Sequence, residues 1–246
     1  MEREDGIFDE RVARDYDRSS ASMFDPAVLD PAVDLLAELA GDGPALELAI
    51  GTGRVALPLA ARGVRVAGID LSRAMVARLR EKPGGDDLEV VIGDMTTARV
   101  DGSFSLVYLV FNTIMNLTSQ EAQVACFRNA ARHLRPGGVF LIEVGVPELR
   151  RLAPGVRVVP FDITETHWGF DEYDVATQAM TSHHLEVVDG RAVRLSVPFR
   201  YAWPAEYDLM AELAGLRLRD RWGGWRREPF TDASRAHVSV WEQREA

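Results

Sequence analysis

From residue 44 onward the chain alternates short apolar runs with amphipathic stretches, and no other feature limits its fold as much. Ala45 to Ile50, Val64 to Ile69, Leu88 to Ile92, Phe104 to Phe111 and Val139 to Val144 read as buried strands, with helical stretches near 54–62, 72–81 and 119–134 between them. Strands buried on both faces pair in parallel through right-handed helical crossovers, and helices then cover both sides of the sheet. The spacing therefore predicts a doubly wound α/β fold over residues 44–146, with its ligand at the carboxyl ends of the strands. At 246 residues, 47% of them hydrophobic, the chain suits one domain carrying an insertion.

The flanks read differently. Residues 1–43 are charged and helical, with Asp25-Pro26 and Asp30-Pro31 each read as an N-cap before a first helical residue. Residues 147–203 break the α/β rhythm and predict a strand-rich insertion after the fifth strand. There, Val175 to Val188 and Val193 to Tyr201 read as two strands joined at Asp189-Gly190. A three-residue loop, Asp189 to Arg191, would pair Val187 with Val193 and His183 with Val197, putting His183 on the apolar face. Residues 204–246 read as a closing helix from Pro204 to Ala214 and two strands, Leu216 to Arg221 and His237 to Trp241.

Charge narrows the partners. The 38 acidic residues outnumber the 28 basic ones, and a net charge of −10 repels a phosphate backbone. Arg217, Arg219, Arg221, Arg226 and Arg227 form the densest basic group and read as a solvated face. The single cysteine, Cys126, reads as core, no residues show metal-ligand spacing, and no apolar run is long enough for a signal peptide or a membrane span. A cytoplasmic enzyme acting on a small molecule is expected, without nucleic acid or membrane partners and with a homodimer as the candidate assembly.

The chemistry concentrates in Glu47-Leu48-Ala49-Ile50-Gly51-Thr52-Gly53-Arg54, where a strand runs through a glycine turn into a helix. Gly51 and Gly53 let the backbone approach a ligand, and a helix N-terminus favours an anion. Gly51, Gly53 and Ala56 also satisfy the dinucleotide-binding pattern, with Asp70 placed as a ribose-binding acid, so an NAD-dependent oxidoreductase is an alternative.

The motifs that follow are Gly68-Ile69-Asp70-Leu71-Ser72, Gly93-Asp94-Met95, the strand Phe104 to Asn112, and His133-Leu134-Arg135-Pro136-Gly137-Gly138. In this order, behind an acidic first strand, they resemble the class I S-adenosylmethionine-dependent methyltransferases of the small-molecule type. The resemblance implies a mostly parallel, seven-stranded Rossmann-like sheet with an antiparallel C-terminal strand. It implies S-adenosylmethionine as cofactor and S-adenosylhomocysteine as product. By the same resemblance, Glu47 and Ala49 belong to the first cofactor motif, and Gly51 and Gly53 pass under the methionine portion. Asp70 would bind the ribose, Leu71 and Met75 flank the adenine, Asp94 bind its amino group beside Met95, and Phe111 and Asn112 line the cofactor. Tyr16 resembles the family's N-terminal lid tyrosine. Ala49 departs from the pattern, standing where the family usually has a glycine.

Asn112-Thr113-Ile114-Met115-Asn116-Leu117 resembles the corresponding segment of the sugar N-methyltransferases of antibiotic biosynthesis, some of which carry a histidine where Asn116 stands. Asn116 can orient an acceptor but cannot serve as a base. His167 and His183, in the insertion, are the remaining catalytic candidates, and the acceptor atom is nitrogen or oxygen. A non-catalytic relative that binds the cofactor and acts as a regulatory protein is a further alternative.

Overall fold

The computed structural model describes residues 7–188 and 190–243. In chain order, α1 (Glu10–Ser19) and α2 (Pro26–Ala40) precede β1 (Ala45–Leu48), α3 (Ala56–Ala61), β2 (Val66–Asp70), α4 (Arg73–Arg80), β3 (Glu89–Ile92), β4 (Phe104–Leu109), α5 (Gln120–His133) and β5 (Leu134–Gly145). A separate antiparallel sheet follows, built from β6 (Val158–Ile163), β7 (His167–Asp174), β8 (Ala179–Val188) and β9 (Arg191–Arg200). The chain closes with α6 (Pro204–Leu213), β10 (Leu216–Trp222) and β11 (Ala236–Gln243).

The main sheet has the order β10-β11-β5-β4-β1-β2-β3. Its first five strands pair in parallel, and β11 runs antiparallel to both β5 and β10. This is the doubly wound, mostly parallel seven-stranded sheet that the sequence predicts. Strand periodicity of two sorts the core into two layers. Leu46, Leu48, Val107, Leu109, Phe140 and Ile142 pack under α5 and α6 against Phe127, Tyr207 and Trp241. Ala45, Leu106, Tyr108, Leu141 and Val240 face the other way, onto Val33 and Leu36 of α2 and Leu59 of α3.

Four local readings differ. Asp25 caps α2 by accepting from Ala27 N, but Asp30-Pro31 lies inside that helix. The buried stripe of Leu29, Ala32, Val33, Leu35 and Leu36 carries the helix past the missing N–H of Pro31. A Pro-Gly-Gly run by itself reads as a turn, but Pro136-Gly137-Gly138 is a bulge within β5: pairing jumps from Phe104↔Leu134 to Leu106↔Val139, and Gly137 takes φ +72°. The hairpin is slipped by one residue, with Val188 opposite Arg191 and Val187 opposite Ala192, which leaves a two-residue connection. Its second residue, Gly190, has φ +73°, as such tight turns require, and Asp189 lies outside the described residues. The slip moves His183 opposite Ser196, onto the face away from Met180, Ser182 and Val197, which are the buried positions. Finally, residues 175–178 are a turn, and two strands that the pattern does not announce, β6 and β7, complete the second sheet.

Four of the five arginines in the basic group pair with nearby carboxylates. Arg217 pairs with Glu242, Arg219 with Asp220, Arg221 with Asp208 and Arg227 with Glu38, each within 3 Å.

Candidate active site

Strands β1, β2 and β4 end on one edge of the sheet, and each end carries part of the site. Beyond β1 the chain turns through left-handed backbone at Ala49 (φ +58°), Gly51 (φ +57°) and Gly53 (φ +78°). Asp70, the last residue of β2, fixes this loop: its carboxylate accepts from Gly51 N at 2.6 Å and from Ser72 N at 2.8 Å. Ser72 in turn caps α4 by accepting from Met75 N at 3.0 Å.

The two glycines serve different needs. A Cβ on Gly51 would meet only the mobile end of Met75, at 3.4 Å, so the space above this backbone is open to a ligand. A Cβ on Gly53 would lie 2.3 Å from Leu79 Cδ1, so here glycine allows helix packing. Ala49 lies past the strand's end, not within it, and an L-residue in this conformation costs about 1–2 kcal/mol. Glycine avoids that strain but loses more backbone entropy, so Ala49→Gly is expected to stabilise the fold by up to ~1 kcal/mol. A lower melting temperature for that variant would contradict the strained reading.

Tyr16, Glu47, Ala49, Gly51 and Phe111 line one cleft, together with Arg54. Glu47 is buried, accepts from Tyr108 Oη at 3.0 Å, and burial pushes its carboxyl up to about 8, so it holds its proton at neutral pH. Glu143, from β5, is likewise raised by burial and accepts from Phe111 N at 2.6 Å. The Arg54 guanidinium lies 4.9 Å from the Phe111 ring centroid and donates one long bond, 3.4 Å, to Met23 O. A guanidinium beside the buried carboxyl of Glu47 and the half-buried one of Glu143 suits a ligand end that carries both a carboxylate and an ammonium, and the open backbone at Gly51 leaves room for it. The residues present therefore fit the cofactor that the sequence implies.

The proton on Glu47 has a consequence for stability. The folded state binds it more tightly than the unfolded chain, so its contribution is complete below about pH 4.5 and is lost as the pH rises to about 8. Glu47→Gln is expected to flatten the fall in melting temperature of the ligand-free protein between pH 5 and 8. An unchanged slope would mean that Glu47 titrates elsewhere.

Phe111 and Asn112 both have φ +60°, and β5 holds this strained pair in place. Besides the Glu143 contact to Phe111, Asn112 N donates to Glu143 O at 3.2 Å and Asn112 Oδ1 accepts from Gly145 N at 2.6 Å. In the turn that follows, Asn116 Nδ2 donates to Thr113 O at 3.2 Å, while Asn116 Oδ1 is buried without a hydrogen-bond partner.

Tyr16 reaches the cleft from α1, its phenol pushed up by burial. Its neighbour Asp17 ties α1 to the glycine loop, accepting from Thr52 Oγ1 at 2.6 Å and pairing with Lys82 Nζ at 2.5 Å. Lys82 also donates to Thr52 O at 2.7 Å. The sequence reading assigned no role to Arg54, Asp17, Thr52, Lys82 or Glu143. Arg54 alone had a local signal, directly after the glycine turn.

The other expected residues surround this centre. Met75 is buried on α4 against Ala13, Leu71 is half exposed next to Asp70, and Asp94 is exposed with Oδ1 accepting from Thr96 N at 2.7 Å. Met95 packs against the core below α5, where its carbonyl accepts from Asn129. His167 and His183 stand on the second sheet and do not line the cleft around Gly51. His183 stacks on Phe170 at 4.8 Å and contacts Ser196 Oγ at 2.9 Å, and His167 contacts Asp162 at 2.6 Å.

Comparison with known proteins identifies the family. A family model described as a methyltransferase domain matches residues 45–138. The chain is 30% identical to the cypemycin N-terminal methyltransferase of a Streptomyces species, over 96% of this chain and 98% of that protein. It is 30% identical to the dTDP-3-amino-3,4,6-trideoxy-alpha-D-glucopyranose N,N-dimethyltransferase of Streptomyces venezuelae, over 73% of this chain and 77% of that protein. The solved structure of the CcbJ methyltransferase from Streptomyces caelestis superposes with a TM-score of 0.79 at 36% identity, covering 87% of this chain and 89% of that one.

Proposed function

Because the chain belongs to the class I S-adenosylmethionine-dependent methyltransferases, we propose that it methylates an amine nitrogen of a small molecule bound between the turn at 111–116 and the second sheet. The glycine pattern's oxidoreductase reading is set aside, since relatives along the whole chain are methyltransferases, and so is the non-catalytic reading. The cofactor is S-adenosylmethionine, which supplies a methyl group activated on a sulfonium centre.

The observation that carries the amine reading is Asn116 Oδ1, a buried oxygen without a partner in the turn that follows the cofactor-lining strand. It requires a hydrogen-bond donor and cannot act as a base. An amine or ammonium group supplies that donor, and two relatives are named for transfer to nitrogen. The chain's own task is then to orient the acceptor and exclude water. In this reading Gly51 and Arg54 hold the methionine end, Asp70 the ribose, and Leu71, Met75, Asp94 and Met95 the adenine. Tyr16 closes the cleft from α1, and residues 147–203 cover the acceptor.

No helix among the described residues is long and apolar enough to cross a membrane. A cytoplasmic location and a homodimer belong to the same proposal, the latter supported by the exposed Phe161, Ile163 and Val188 on the second sheet. The test is transfer of labelled methyl groups to primary-amine probes, the sugar nucleotide dTDP-3-amino-3,4,6-trideoxy-alpha-D-glucopyranose and a short peptide with a free N terminus, each against its hydroxyl counterpart. Turnover of amines alone is expected. Preference for the hydroxyl compounds would overturn the nitrogen assignment.

A further inference from the structure

A row of hydrogen-bonded side chains crosses the second sheet. Asp162 Oδ2 lies 2.6 Å from His167 Nδ1, His167 Nε2 lies 3.2 Å from His184 Nδ1, and His184 Nε2 lies 3.3 Å from Ser182 Oγ. The two imidazoles are stacked, and Phe161 covers both. One end of the row is wet and the other dry: the Asp162 side chain is 47% exposed, whereas Ser182 is 7% exposed. Ser182 shares a face of β8 with Met180. Met180, with Tyr173 and Phe199, packs in the same cluster as Ile114 and Met115 of the turn that carries Asn116. Gln123 Nε2 donates both to Ile114 O, in that turn, and to Arg200 O, at the end of β9, so the dry end of the row lies on the side of the second sheet that meets the turn.

We propose that Ser182, His184, His167 and Asp162 form a proton relay that deprotonates the acceptor's ammonium group and passes the proton to solvent. The proposal rests on the amine reading above. An amine arrives at neutral pH mostly as an ammonium, which has no lone pair with which to attack. In the relay arrangement the Ser182 hydroxyl turns its single proton from the Asp171 carboxylate to His184 Nε2, while His184 Nδ1–H donates to His167 Nε2 and His167 Nδ1–H to Asp162. The ammonium gives a proton to Ser182 Oγ as the serine proton moves to His184 Nε2 and the Nδ1 proton of His184 moves to His167 Nε2. The resulting imidazolium of His167 rests against Asp162 and loses its proton to water. The freed nitrogen lone pair then forms the bond to the methyl carbon while the carbon–sulfur bond breaks, its electron pair staying on sulfur.

Several charged groups act on the row. Asp162 comes from β6, and His167 and Asp171 from β7, with Asp171 a second partner of the Ser182 hydroxyl. Glu186 and His183 come from β8, and β9 places Leu195 opposite His184. Burial first, and then the neighbouring His167, lower the proton affinity of His184, which leaves it ready to receive a proton at neutral pH.

Two measurements test the relay. In protein labelled with nitrogen-15 histidine, Asp162→Asn is expected to lower the titration midpoint of His184 and His167→Gln to raise it. Identical titration in all three proteins would overturn the relay, whatever the acceptor. With the amine probes named above, His184→Gln is expected to lose about 100-fold in kcat at pH 7. It should recover near pH 9.5, where the amine arrives neutral, with S-adenosylhomocysteine affinity unchanged throughout. Ser182→Ala should follow the same profile. Loss at all pH values, or none, would overturn the role in proton removal. If the wild-type enzyme methylates only hydroxyl probes, the amine reading falls and with it the catalytic use of the row, while the titrations still show whether the side chains share a proton.

Discussion

Asp70→Ala is expected to weaken S-adenosylmethionine binding by several hundred-fold while the protein stays folded. In its proposed role the carboxylate accepts two ribose hydroxyls, and hydrogen bonds to a charged group contribute about 1.5–3 kcal/mol each. A loss of about 3–4 kcal/mol corresponds to several hundred-fold in Kd. The same carboxylate also holds Gly51 N and Ser72 N, so the variant loosens the loop as well as removing the acceptors. Calorimetry with S-adenosylhomocysteine, alongside a melting curve, measures both effects. Unchanged affinity in a folded variant would remove Asp70 from the site.

Gly51→Val and Gly53→Val are expected to fail in different ways, although the positions are two residues apart. At Gly53 the new side chain meets Leu79 and Leu57 in the packing between α3 and α4, at a backbone angle that a β-branched residue resists. Overpacking and strain together amount to about 3–5 kcal/mol, enough to unfold much of the protein near room temperature. At Gly51 the side chain points into open space, so only the strain remains, about 1–2 kcal/mol, and the protein should still fold. It should no longer bind the cofactor, because the valine fills the cleft. Thermal melts and calorimetry on both variants separate the cases. A Gly51→Val protein that binds S-adenosylhomocysteine normally would show that the ligand lies elsewhere.

How much was legible in the sequence follows from how local each signal is. The parallel sheet and the glycine turn could be read because buried strands and close backbone approach leave contiguous patterns, and Asp70 could be read because it ends one such strand. The clamp on Phe111 and Asn112 could not, since Glu143 and Gly145 lie more than thirty residues away and look like ordinary members of a strand. Strands β6 and β7 escaped notice for a different reason. Pro160, Asp162, Gly169 and Glu172 interrupt their apolar pattern, and only pairing within the second sheet makes them strands. The hairpin was found but set one residue out, because Val187 pairs plausibly with either Ala192 or Val193. That single slip exchanged His183 for His184, which is the histidine that contacts His167 and Ser182.

The contacts of Asp17 bear on the pace of the enzyme. Thr52 and Lys82 hold α1 down on the loop proposed to cradle the cofactor, with the salt bridge partly shielded from water. If α1 covers the opening by which the cofactor exchanges, as proposed, each exchange breaks and remakes this latch. A catalyst built this way has a clock separate from its chemistry: once methyl transfer is quick, the number of cycles per second is governed by how often one aspartate lets go.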